Sequence, residues 1–149
     1  MYANLQEVFD TAAKHLITQG RPAVPEDGEE ALRAPSRCLY RTAAGLKCAV
    51  GCLIPDTHYD PEIEGGGVLS ILEAVRANDL AVLPSNSRAL SNVLGELGLM
   101  DERALDLLYA LQRMHDSYAD DSGRIDWREG LARVADQFGL GTSALTAQA

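Results

Sequence analysis

All three cysteines of the chain, Cys38, Cys48 and Cys52, fall in one short stretch that His58 closes. Thiolate and imidazole are the donors a closed tetrahedral zinc site requires, so Cys38, Cys48, Cys52 and His58 form one candidate metal set. Their gaps of nine, three and five residues lack the Cys-x-x-Cys knuckle that usually places two ligands at one turn. The same thiols read as packing, because unpaired cysteine is among the most buried side chains. A third reading is nucleophilic: a thiolate activated by His58 or His115, with Asp56 or Asp116 as the orienting group. No local signature of a cysteine hydrolase surrounds any of the three.

Two further patterns carry ligand chemistry. The doublet His115-Asp116 at a helix end is of the type that metal-dependent phosphohydrolases place on one metal, with His58 and Asp136 as the further ligands it would need. A solvated helix terminus explains the doublet as well. Residues 118–129 overlay a twelve-residue calcium loop, with Asp120, Ser122, Asp126 and Glu129 at ligand positions and Gly123 at the turn. Position one is Tyr118, which offers no carboxylate, and Asp126 with Glu129 also reads as a helix cap and its partner three residues on. Gly65, Gly66 and Gly67 form a flexible triplet but no phosphate loop, since no Lys-Ser or Lys-Thr follows. No cofactor is expected beyond the zinc option.

The elements that must position these residues are mainly helical. Leu5, Val8, Phe9, Ala12, Ala13, Leu16 and Ile17 make one apolar stripe, Asn4 caps its start with Glu7 three residues on, and Gly20 stops it. His15 lies on the polar side of its last turn, a poor catalytic candidate. Residues 21–36, with Pro22, Pro25 and Pro35, read as a surface connection. Residues 38–42 and 46–50 flank Ala43-Ala44-Gly45 and predict a short two-stranded hairpin. Residues 54–67 predict a constrained loop or a single helical turn. Val68, Ile71, Leu72 and Val75 mark a helix ending near Asn78, and residues 80–83 are too short to classify. Ser85 or Ser87 caps the next helix, Asp101 the one after, and Asp126 the last, which carries Trp127, Leu131, Val134, Ala135 and Phe138. The helix of Ala104 to Met114 is apolar over a broad surface and is therefore central. The expectation is a mainly α fold with a small β-hairpin: about five amphipathic helices around one core, a single domain over 1–141 and a flexible tail over 142–149.

Composition limits what such a domain contacts. A chain of 149 residues with 46% hydrophobic content is long enough to bury a core without disulfides. Three cysteines cannot all pair, and no signal peptide or membrane-spanning run is visible, so a reducing cytoplasm is the expected setting and no membrane partner is expected. Twenty-two acidic against 13 basic residues give a net charge of −9, which disfavours direct nucleic-acid binding. The acidic residues bunch at 26–30, 56–64, 101–106 and 116–129. Tyr40, Arg41, Lys47, Asp56, His58, Tyr59 and Glu64 are the candidates for lining a ligand or partner cleft, although the turns made by Pro55 and Pro61 account for the same residues.

The pattern Cys38-x-Tyr40-Arg41, Gly45-x-Lys47-Cys48-Ala49-x-Gly51-Cys52-Leu53-Ile54-Pro55-Asp56, then Tyr59-Asp60-Pro61 and Glu64-Gly65, resembles a family of small acidic proteins from tailed phages and prophage-bearing bacteria. The likeness extends to the first helix, the Met114-His115-Asp116 region and the closing helix with Trp127. It implies a genomic setting and no catalytic residues. Small phage accessory proteins often work by occupying a host protein, and an anionic surface competes for sites built to hold nucleic acid. The reading is therefore a non-catalytic accessory protein that binds and modulates or inhibits a host or defence protein through an acidic surface, with a homodimer compatible with the plan. The alternative is a metal-dependent hydrolase or thiol enzyme centred on Cys38, Cys48, Cys52 and His58.

Overall fold

The structure is a computed structural model that describes residues 1–25, 38–118 and 124–146. Helix α1 spans Leu5–Gln19; the Asn4 side chain accepts the Glu7 N–H, and Gly20 ends the helix at φ 68°, a left-handed conformation that favours glycine. Its apolar stripe from Val8 to Ile17 is buried, as the periodicity predicts.

The predicted hairpin does not form. Among the described residues, pairing reduces to a single antiparallel bridge between Arg41 and Lys47 around the tight turn of Thr42 to Leu46. The ladder stops because the two groups that would pair next go elsewhere: the Tyr40 amide to Glu64, and the Cys48 carbonyl to the Cys52 N–H at 3.0 Å. The amides of Tyr40 and Arg41 donate to the two oxygens of Glu64, at 2.9 and 3.1 Å, and the Lys47 amide and carbonyl are both held by the side-chain amide of Gln19 at 2.9 Å. The chain then winds into a 3-10 turn over Gly51–Leu53.

A second 3-10 turn, Pro61–Ile63, is capped by Asp60 and leads through Gly65 to Gly67 into α2, Val68–Arg76. A third covers Leu80–Val82. Helix α3, Ser85–Glu96, has Pro84 at its cap position, so neither Ser85 nor Ser87 caps it. The buried Ser87 hydroxyl accepts the Gly67 N–H instead, at 3.3 Å. Helix α4, Glu102–Asp116, opens on the Asp101 cap, and α5, Arg128–Phe138, starts two residues after Asp126, whose carboxylate accepts the Arg128 N–H. Helix α4 packs against α1, α2 and α5, the central place its apolar breadth predicts.

The last residues described depart from the expected tail. Ser143–Thr146 forms a helical turn, α6, whose Ala144 and Leu145 are buried against α1 and α5. The Gln6 amide pins the approach, accepting from Gly141 N at 2.7 Å and donating to its carbonyl at 3.1 Å.

Candidate functional site

Cysteine and histidine are separated by what each already bonds. The Cys48 sulfur is buried and accepts the Gly51 N–H at 3.2 Å, while the Cys52 thiol donates to the Ala49 carbonyl at 3.1 Å. Desolvation pushes the Cys48 thiol well above its ordinary value and raises Cys52 to about 12. His58 turns away, its Nε2 lying 3.1 Å from Glu96 Oε2. The four residues of the zinc set therefore do not converge; among the described residues, the group of three or more potential ligands that does form is Cys38, His115 and Asp116.

The second set meets around Glu64. Besides the amides of Tyr40 and Arg41, its carboxylate accepts the Tyr59 hydroxyl at 2.7 Å. The Arg41 guanidinium lies 4.5 Å over the Tyr59 ring and donates to Asp56 at 2.7 Å and to the Ile54 carbonyl at 2.6 Å; Lys47 reaches the same Asp56 oxygen at 3.8 Å. Tyr40 is buried and donates to the Gly66 carbonyl at 2.5 Å. Desolvation first, then the hydrogen bond to Glu64, raises the Tyr59 phenol above its ordinary value, and burial does the same to Tyr40. Six of the seven candidates thus form one bonded network, and His58 stands outside it on Glu96. The network holds residues 54–64 from beneath and leaves Asp56, Asp60 and Glu62 exposed.

His115 is no solvated terminus. It has no exposed surface, lies parallel to the Trp127 indole with ring centroids 5.5 Å apart, and accepts the Ala23 N–H on Nε2 at 3.0 Å. That acceptor role assigns the ring proton to Nδ1, which faces Asp116 Oδ1 at 3.0 Å. Gln112 Nε2 donates to the same oxygen at 2.8 Å, while its Oε1 accepts from Val50 N. Cys38 and Asp116 border a cavity of about 420 Å³, together with Tyr40, Tyr109, Arg113 and residues 65–69. The other residues proposed for the phosphohydrolase pattern, His58 and Asp136, do not join this group.

Asp120, Ser122 and Gly123 of the calcium pattern lie outside the described residues. Asp126 pairs with Arg128 at 3.2 Å and Glu129 with Arg133, so both are engaged by cations within α5. Within the glycine triplet Gly66 is closely packed: a Cβ there would lie 2.7 Å from the Asn86 carbonyl oxygen. Two residues that sequence reasoning missed, Gln19 and Gln112, substitute for backbone partners. Neither carries a local signal, but His115 did: Leu108, Leu111 and His115 share one helical face, and the first two are core.

No protein-family model, curated protein or solved structure matches the chain. No helix among the described residues is long and apolar enough to cross a membrane.

Proposed function

We propose that this chain is a non-catalytic accessory protein, of the phage type its cysteine motif resembles, that binds and modulates or inhibits a host or defence protein through an acidic surface. The observation that carries the reading is the division of labour in residues 40–64. Tyr40, Arg41, Tyr59 and Glu64 are spent on each other, and the loop they support turns Asp60 and Glu62 to solvent. Glu96 at the end of α3 extends that anionic face, because His58 ties the loop to it. With a net charge of −9, such a face is suited to a cationic site on a partner.

The alternative, an enzyme centred on Cys38, Cys48, Cys52 and His58, draws less support: raised thiol pKa values disarm Cys48 and Cys52 as nucleophiles, and the two ring nitrogens of His58 face Thr57 and Glu96. The tagged full chain used as bait against bacterial nucleic-acid-handling complexes tests the reading. Retention of one complex at low salt and its release as salt rises supports it; absence of any salt-sensitive retention overturns it.

A further inference from the structure

We propose that Cys38, His115 and Asp116 form a binding site for a thiophilic divalent cation of the zinc class, and that the ion's arrival breaks the bond between the Ala23 N–H and His115 of helix α4. A sulfur, a ring nitrogen and a carboxylate oxygen from two distant parts of the chain lie within 4.8 Å of one another. A tetrahedral zinc ion holds such donors roughly 3–4 Å apart, so closing the site takes about 1 Å of movement. Two of the three ligands are already oriented from behind. Trp127 stacks on the imidazole, and Gln112 donates to the Asp116 carboxylate at 2.8 Å. Cys38 and Asp116 form part of the wall of the 420 Å³ cavity, which gives an ion its way in and leaves its remaining coordination position open.

The ring nitrogen beside Asp116 is Nδ1, and it carries the proton because Nε2 accepts from Ala23. An ion on Nδ1 displaces that proton, and a neutral imidazole ligand must then carry its proton on Nε2. Nε2–H and the Ala23 N–H are both donors, so the 3.0 Å bond cannot persist. The ring's proton changes nitrogen, the Cys38 thiol loses its own to solvent, and the net release is one proton per ion. Metal occupancy and the Ala23 N–H bond to His115 are thereby mutually exclusive, while the Ala23 carbonyl keeps the Leu39 N–H at 2.9 Å. This site is independent of the partner reading and shares only Cys38 with the zinc set read from the sequence.

The test titrates the full reduced chain with Co²⁺, whose thiolate charge-transfer band reports sulfur ligation, then displaces it with Zn²⁺, while amide NMR follows Ala23. One equivalent should bind, the band should appear, and the Ala23 resonance should shift with the same titration. Cys38→Ser should abolish the band, and Asp116→Asn should weaken binding by about tenfold or more, whereas Cys48→Ser should leave both unchanged. No band in the native chain, a band that survives Cys38→Ser, or an Ala23 amide that stays in place overturns the proposal. The native-chain band and the Ala23 shift decide the matter even where a variant fails to fold.

Discussion

The imidazole of His115 lies face to face with the indole of Trp127, with 5° between the ring planes, and both side chains are withdrawn from solvent. This pair links the last turn of α4 to the start of α5, and through Nε2 it also fastens the chain at Ala23. His115→Ala removes the stack, opens a void and leaves the Ala23 N–H without its partner. The expected loss is about 3 kcal/mol, read as a lower denaturant midpoint with an unchanged slope. A variant as stable as the native chain contradicts this role.

Glu64 holds three donors, two from between Cys38 and Cys48 and one from beyond Cys52. Glu64→Ala should cost about 2 to 4 kcal/mol, since it strands two backbone N–H groups and a phenol in a partly enclosed place. Glu64→Gln retains one acceptor oxygen and should cost less. Equal losses for the two substitutions would show that the carboxylate's acceptor count is not what matters.

Gly51 sits where the backbone passes the Tyr40 carbonyl so closely that a Cβ would lie 2.0 Å from its oxygen. Gly51→Ala is expected to destabilise by about 3 kcal/mol or more. Gly67→Ala is the control: the nearest atom to its Cβ is 3.7 Å away, and the change should stay within about 1 kcal/mol. Thermal melts of the two variants separate a steric cause from a general intolerance of glycine replacement.

Raised pKa values make the fold sensitive to alkali. Cys48, Cys52, Tyr40 and Tyr59 all keep their protons longer in the fold than in the open chain, with desolvation the leading cause in each. Above the ordinary thiol value of 9.0 the unfolded chain binds fewer protons than the folded one, so stability falls as pH rises, and the Cys52 contribution to that fall is complete near about 12. Thiol labelling of Cys48 and Cys52 should therefore rise together with the loss of helical circular dichroism. Ionisation or labelling of these groups in a chain that keeps its full helical signal would contradict the burial assigned to them.

Helices were legible where the signal is local. The stripe of α1, the Asn4 and Asp101 caps and the central position of α4 all follow from spacing over a few turns. The failed hairpin followed from a partner far away in sequence: Glu64 satisfies the Tyr40 amide that a second strand would have used, and nothing in residues 38–50 announces it. Helix α3 departs from expectation because Ser87 is drawn inward to Gly67. The candidate cluster was legible as residue types and not as a set: Cys38 was grouped with the thiols nearest in the chain, whereas the fold carries it to His115 and Asp116. His115 was read from its adjacency to Asp116 as a metal doublet or a solvated terminus, and its register with Leu108 and Leu111 on the buried face was passed over.

The proposed anionic face on residues 55–64 and Glu96 is tested most directly by neutralising it without touching the network beneath. In the combined variant Asp60→Asn, Glu62→Gln, Glu96→Gln, each altered side chain is exposed, and the amides at 60 and 96 keep an acceptor oxygen for the Glu62 N–H and for His58, so the fold and melting temperature should stay close to native. Affinity for the complex captured by the native chain should fall by about tenfold at low salt, and the salt dependence that remains should be shallower. Unchanged affinity and an unchanged salt slope, in a variant that folds, would contradict an acidic binding surface at this place.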